Sequence, residues 1–208
     1  MNIRDFQVTD MPYLYEICLL TGDSGADATS QFSDPYILGQ YYAAPYAVRD
    51  PKAVLILEGE CKGATRPVGY ILGTPDTVAY NEWFDARWRP YATALYGAIP
   101  DGCSEFETTI RRLFTKTDAG AQESGPPMAE YPGHIHIDIL PEAQGSGWGR
   151  RLMDAMSQRL RDLGCPGFHL GVGKKNPGGV AFYRRYGMQE LGAPAWGYYF
   201  GKRLTAVP

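Results

Sequence analysis

The chain is short of cysteine, of long apolar runs and of surplus basic charge, and each shortage removes a class of protein. Its four cysteines, Cys18, Cys61, Cys103 and Cys165, are scattered and form no C-x-x-C pair. Neither a disulfide framework nor a zinc-finger spacing is present, and the expectation is reduced thiols in a cytoplasmic protein. No stretch stays apolar for the ~20 residues a transmembrane helix needs, and residues 1–10 are too polar for a secretory leader. A membrane partner is therefore not expected. Twenty basic residues face 23 acidic ones, a net charge of −3. A footprint on a phosphate backbone needs the opposite balance, which argues against nucleic acid as a partner. What remains is an ordinary apolar share, 44%, in a length that suits one α/β domain with room for an elaboration.

Residues 3–8 read as a short strand. Thr9 and Asp10 are placed to cap a helix whose Met11, Leu14, Cys18 and Leu19 share one face. A polar loop over 21–34 follows, and Asp34-Pro35 reads as a cap with proline in the first turn of an aromatic helix reaching Tyr41 or Tyr42. Residues 53–58 and 68–74 are apolar runs split by a turn, the pattern of an antiparallel hairpin. Residues 75–133 are less regular and read as an insertion. It carries one helix around Trp83, Phe84, Trp88, Tyr91 and Leu95, another over 106–114, and a connector over 123–133 rich in Gly and Pro.

The last 75 residues hold the clearest pattern. Residues 134–140 form a strand, and 150–163 a helix with Leu152, Met153, Met156, Leu160 and Leu163 to one side, stopped by Gly164 and Pro166. A strand over 168–172, a short helix over 179–186 ended by Gly187, and a closing strand over 196–204 complete the chain. Strand, tight turn, helix, strand is a crossover unit, so the strands at 134 and 168 should run parallel.

The turn between the first of these strands and its helix is Gln144-Gly145-Ser146-Gly147-Trp148-Gly149-Arg150. Glycines let backbone N–H groups approach a ligand, and the helix that follows adds its positive dipole end and unpaired donors. Together these suit a diphosphate, with Arg150 and Arg151 close by. A dinucleotide fingerprint would need a third glycine where Arg150 stands, and a nucleotide-hydrolase phosphate loop would need Gly-Lys-Ser/Thr. A serine-nucleophile elbow would need glycines at positions held by Gln144 and Trp148.

Gln144-x-x-Gly147-x-Gly149, preceded by Ile137-Asp138-Ile139-Leu140-Pro141, resembles the coenzyme A signature of the GNAT superfamily of N-acyltransferases. Asn176, Ala181-Phe182-Tyr183 and Gly187-Met188 resemble that family's second motif, in the correct order. Residues 134–141 are also similar to a stretch of the acetyltransferase-like carboxyl-terminal domain of animal O-GlcNAc hydrolases. The resemblance implies a mixed α/β sheet over 1–208, with helices flanking a central parallel pair that splays. It implies acetyl-CoA as co-substrate, no metal cofactor, and an amine acceptor, small molecule or protein. A coenzyme A-binding module without catalysis is the alternative.

By resemblance, main-chain groups near Ile139 and Leu140 hold the acyl and pantetheine part, and residues 144–150 hold the pyrophosphate. Asn176 and Phe182 join the cofactor site, and Tyr183 protonates the departing thiolate. A phenol with an ordinary pKa of about 10 keeps its proton at neutral pH. Asn176 reads equally as a helix cap, and Tyr183 also as a core residue. His134, His136 and Asp138 alternate along one strand and share a face. Asp138 or His136 is placed to take the acceptor's proton, directly or through water. The three side chains read as well as a hydrogen-bonded cleft rim, or with His169 as ligands. The loop with Asp23, Asp27 and Asp34, and the tyrosines Tyr36, Tyr41, Tyr42 and Tyr46 after it, are expected beside the acceptor entrance.

Overall fold

A computed structural model of the protein describes residues 1–61, 63–115 and 125–204. Seven strands form one sheet: β1 (Asn2–Asp5), β2 (Val54–Cys61), β3 (Ala64–Thr74), β4 (Gly133–Ile139), β5 (Gly167–Gly173), β6 (Gln189–Gly192) and β7 (Gly197–Arg203). Their order across the sheet is β1-β2-β3-β4-β5-β7-β6. Every neighbouring pair is antiparallel except β4 and β5, which are parallel. The hairpin expected around residues 53–74 is β2–β3, with both strands longer than their apolar runs alone indicated.

The face of the sheet that carries Tyr70, His134, His136 and Asp138 is covered by α1 (Met11–Leu20), α2 (Ile37–Tyr42) and α3 (Ala44–Arg49). The opposite face carries Ile71, Gly73, Ile135 and Ile137 and receives α7 (Trp148–Asp162). A Cβ on Gly73 would come within 3.2 Å of the Met156 sulfur, so the missing side chain lets the helix lie close. Leu152, Met153, Met156 and Leu160 of α7 are buried, whereas Leu163, expected on that apolar side, lies past the last turn and is 39% exposed. The helix α8 (Pro177–Tyr186) packs beside α7, with the Tyr183 ring 5.8 Å from Phe200 of β7.

The stretch between β3 and β4 contributes α4 (Thr77–Trp83), α5 (Arg89–Tyr96) and α6 (Glu105–Thr115). A π-helical segment over Phe84–Trp88 joins α4 to α5, so the single aromatic helix expected there is two helices and a bulge. The bulge lets Phe84 turn inward while Trp88 donates its indole N–H to the Gln40 carbonyl. From α6, Glu107 accepts from the Ser33 backbone and hydroxyl and pairs with Arg111 at 2.7 Å. Both side chains of that pair are buried. Through them the insertion is bolted to the segment leading into α2. The connector is irregular over 125–132, and its residues 123 and 124 lie outside the described part.

Three expectations of the termini and caps are corrected. Asp10 precedes α1 but does not cap it. Its carboxylate instead takes two bonds from Arg4, at 2.7 and 2.8 Å, and one from the Gln7 backbone. The strand expected over 3–8 stops at Asp5, because Val8–Asp10 winds into a 3-10 turn. Asp34 accepts from the Tyr36 backbone, and the helix opens two residues later than expected, at Ile37. No disulfide joins any of the four cysteines. Among the described residues, no helix is long and apolar enough to cross a membrane.

Candidate active site

The parallel pair holds register over two residue pairs only, Gly133 with Phe168 and His134 with His169. Both strands continue for several residues beyond that point, so they diverge and leave a gap in the sheet. On the β3 side the Leu140 N–H donates to the Val68 carbonyl at 2.9 Å. Main-chain N–H groups alternate sides along a strand, so those of Ile137 and Ile139 point across the gap. This narrows the part expected of Leu140: its amide is committed to the sheet, and the amide beside it faces the opening.

The glycine turn lies at the end of β4. Gly145 and Gly147 have φ of 82° and 79°, conformations that L side chains rarely adopt, and a Cβ on either would meet nothing within 4 Å. Their bareness therefore serves the backbone's path and an open surface, not packing within the fold. Gly147 is the N-cap of α7, so the first helical N–H groups face the same opening. Gln144 donates to the Ile139 carbonyl at 2.7 Å and ties the turn to the strand. Ser146 is exposed, and Trp148 lies under the Arg151 guanidinium at 4.5 Å. Gly149 works differently: a Cβ there would approach the Phe182 ring at 3.3 Å, so its absence seats α7 against α8. Arg150 reaches the Arg185 carbonyl at 3.3 Å and lies over the Tyr186 ring, at the end of α8.

The gap opens into a cavity of ≈ 610 Å³ on the α1–α3 face, lined by residues 134–138 of β4 and 169–173 of β5 but by none of residues 144–150. His136, Asp138, Asn176 and Tyr183 all line it. Asp138 accepts from the Tyr70 hydroxyl at 2.6 Å, and His136 Nε2 lies 2.9 Å from the same carboxylate oxygen. Tyr42 stacks on the His136 ring at 5.5 Å and fixes its plane. Burial first, and the Asp138 charge second, push the Tyr183 phenol above its ordinary pKa. Asn176 accepts from the Gly179 N–H at 2.8 Å, so the cap reading of this residue is realised. Phe182 supports the turn from behind through Gly149.

His134 shares the face but not the chemistry. Its Nδ1 lies 2.9 Å from the Thr77 hydroxyl, and Tyr46 and Tyr80 enclose the ring edge-on. Burial chiefly, with His169, His136 and Arg49 adding to it, pushes its pKa down to about 3. His169 sits against the Tyr131 carbonyl at 2.8 Å. The acidic loop is only partly at the cavity. Thr21, Gly22, Ser24 and Gly25 line it, but Asp27 turns to the Thr29 N–H and hydroxyl and Asp34 to Tyr36. Of the tyrosines, Tyr42 and Tyr46 reach the cavity wall, Tyr41 packs on Phe84 and Phe114, and Tyr36 is 53% exposed beside Tyr15. Sequence reasoning missed Tyr70, Cys18 and Trp196 as site residues. Tyr70 stands in an unbroken apolar run, and its pairing opposite Asp138 exists only once β3 and β4 are in register.

Residues 109–188 match the model of the acetyltransferase (GNAT) family. Over 116 residues the chain is 35% identical to the mycothiol acetyltransferase of Nocardiopsis dassonvillei, an alignment covering 56% of this chain and 30% of that protein. The chain thus spans about a third of that relative's length. The solved structure of SsHAT superposes with a TM-score of 0.81 at 29% identity, over 98% of both chains. A phosphinothricin acetyltransferase from Sinorhizobium meliloti, solved with acetyl-CoA, superposes at 0.55 and 16% identity, over 100% of this chain and 91% of that one. Fold and matched segment are those of the GNAT acetyltransferases, with the mixed seven-stranded sheet and the parallel β4–β5 pair at its centre.

Proposed function

We propose that the chain is a single acyltransferase domain, with residues 75–133 inserted, that moves acetyl from acetyl-CoA to an amine by direct attack. The observation that carries this reading is the opening of β4 from β5 beside a bare glycine turn, into a cavity walled by His136, Asp138 and Tyr183. The pyrophosphate would lie on the N–H groups of residues 145–150, with the positive end of α7 behind them. The pantetheine would run through the gap. The Ile139 and Ile137 amides, aimed across it, are donors for the thioester carbonyl as negative charge gathers on its oxygen. The nitrogen nucleophile must arrive neutral, and Asp138 with His136 forms the acceptor for its proton.

As the new carbon–nitrogen bond forms, the carbon–sulfur bond breaks and the coenzyme leaves as a thiolate. Tyr183 is the donor on that side. Its raised pKa keeps the phenol protonated through neutral pH but lowers its acidity, so its main contribution is a hydrogen bond to the departing sulfur. Asn176 has its carbonyl oxygen occupied by the cap, which leaves the amide nitrogen for the pantetheine.

A coenzyme A-binding module that has lost catalysis would be expected to have its acceptor side plugged by the insertion. Instead Thr77, Asn81 and Phe106 of the insertion contribute wall to an open cavity, which favours the enzyme. The likeness of residues 134–141 to the acetyltransferase-like domain of O-GlcNAc hydrolases belongs to the same proposal and is supported by that stretch alone. The test is release of free thiol from acetyl-CoA against a panel of small amines, amino acids and lysine peptides. Acceptor-dependent release that stops in Asp138→Asn supports the reading. Tight acetyl-CoA binding with no release from any amine would favour the module.

A further inference from the structure

On the cavity wall, Cys18, which acyl transfer leaves unused, stands beside the two residues proposed to take the acceptor's proton. The Cys18 sulfur, a ring nitrogen of His136 and a carboxylate oxygen of Asp138 lie within 4.8 Å of one another. Cys18 arrives from α1 and the other two from β4, so the groups converge from two sides of one space. Tetrahedral zinc with bonds of 2.0–2.3 Å sets its ligands about 3.3–3.8 Å apart, a spacing that small side-chain rotations would reach. His136 Nε2 is enclosed and lacks an aligned hydrogen-bond partner, although the Asp138 oxygen is 2.9 Å away. An enclosed imidazole nitrogen without a partner is costly unless something occupies its lone pair or proton.

The surroundings fit the same role. Tyr42 holds the His136 ring by stacking, and the Tyr70 hydroxyl holds Asp138, the kind of outer contact that orients metal ligands. One thiolate, one carboxylate and a neutral imidazole supply two negative charges for a divalent ion. Sulfur and nitrogen donors select zinc-like ions over magnesium or calcium.

We propose that Cys18, His136 and Asp138 form an inhibitory site for a thiophilic divalent cation, with cavity water completing the coordination. On binding, the Cys18 sulfur–hydrogen bond is exchanged for a sulfur–metal bond and the proton passes to solvent, with no redox change. The bound ion occupies both groups placed to take the acceptor's proton. The inhibitory part rests on the function proposed above; the binding part does not.

The experiment titrates the full chain with Zn²⁺ by calorimetry and with Co²⁺ by absorption spectroscopy. One ion per chain and a thiolate-to-cobalt charge-transfer band are expected. Outer contacts alone are worth 10–100-fold in affinity, so losing a direct ligand in Cys18→Ala should cost at least about tenfold and abolish the band. Cys18→Ser, closer in shape, should also lose the band, while Cys103→Ser should keep it. No band in the wild type, or equal Zn²⁺ affinity in Cys18→Ala, would overturn the site. In the thiol-release assay, Zn²⁺ should slow the wild type reversibly, with activity restored by a chelator, and leave Cys18→Ala much less affected. Binding without slowing would overturn the inhibitory role, and the binding arms decide the site even if no amine is acetylated.

Discussion

At the scale of single residues, the roles divide by what each side chain already touches. Asp138 and His136 are held by Tyr70 and Tyr42 and still face the cavity. Tyr183 faces the same space from α8, with its ring against Phe200. Replacing Tyr183 with Phe removes one hydroxyl and little packing. Turnover should fall by roughly 10²–10³-fold, the cost of removing one hydrogen-bond donor aimed at developing negative charge, while acetyl-CoA affinity measured by calorimetry stays within about twofold. Turnover equal to wild type would assign the ring to packing against Phe200.

At the scale of elements, the fold was legible wherever a period or a turn signal was strong. The apolar runs of β2 and β3, the stripe of α7, and Gly187 ending α8 with φ 88° all read directly from the residues. The strand β6 did not, because Gln189–Gly192 is short, polar and has no alternation of its own. The break between α4 and α5 was hidden because a π bulge keeps aromatic residues at nearly helical spacing. At the site, the glycine turn and the β4 residues were legible, since their chemistry is local. The Cys18–Tyr70–Asp138 grouping was not, because it depends on the register of β3 against β4 and on where α1 lands.

The insertion's anchorage belongs to this scale as well. Glu107 is 1% exposed, with Ser33 and Arg111 as partners. Removing one member of a buried pair strands the other, at a cost of about 3–5 kcal/mol. Glu107→Ala should therefore lower stability to denaturant by about that amount and loosen the insertion from the segment before α2. A loss near zero would mean that Arg111 finds new partners beyond the Tyr96 and Ala98 carbonyls it already holds.

At the scale of the whole molecule, a buried neutral histidine couples folding to pH. In the unfolded chain His134 takes a proton near pH 6.5, but in the folded protein it resists protonation down to about pH 3. Between these values the unfolded state binds more protons, so stability rises with pH and falls as the solution is acidified from about 6.5 toward 3. His169, lowered chiefly by burial, adds to the same slope. The denaturation midpoint followed across this range should decline, and His134→Gln should flatten the decline. An unchanged slope in that variant would place the acid sensitivity elsewhere, with Asp10 and Glu107, whose bonded carboxyls also titrate low, as the next groups to test.

In the proposed function, turn, gap and cavity would form one path for acetyl-CoA, and on this the rest depends. Calorimetric titration of acetyl-CoA into the wild type and into Gly147→Trp tests it most directly. A side chain there meets nothing within 4 Å of its Cβ, so the fold should survive, which circular dichroism checks. The positive φ at Gly147 would be strained in the variant, and the indole would stand where the pyrophosphate must approach. The wild type should bind one acetyl-CoA per chain, and the folded variant should bind none measurably. Equal affinity in the two proteins, or no binding by the wild type, would contradict the account.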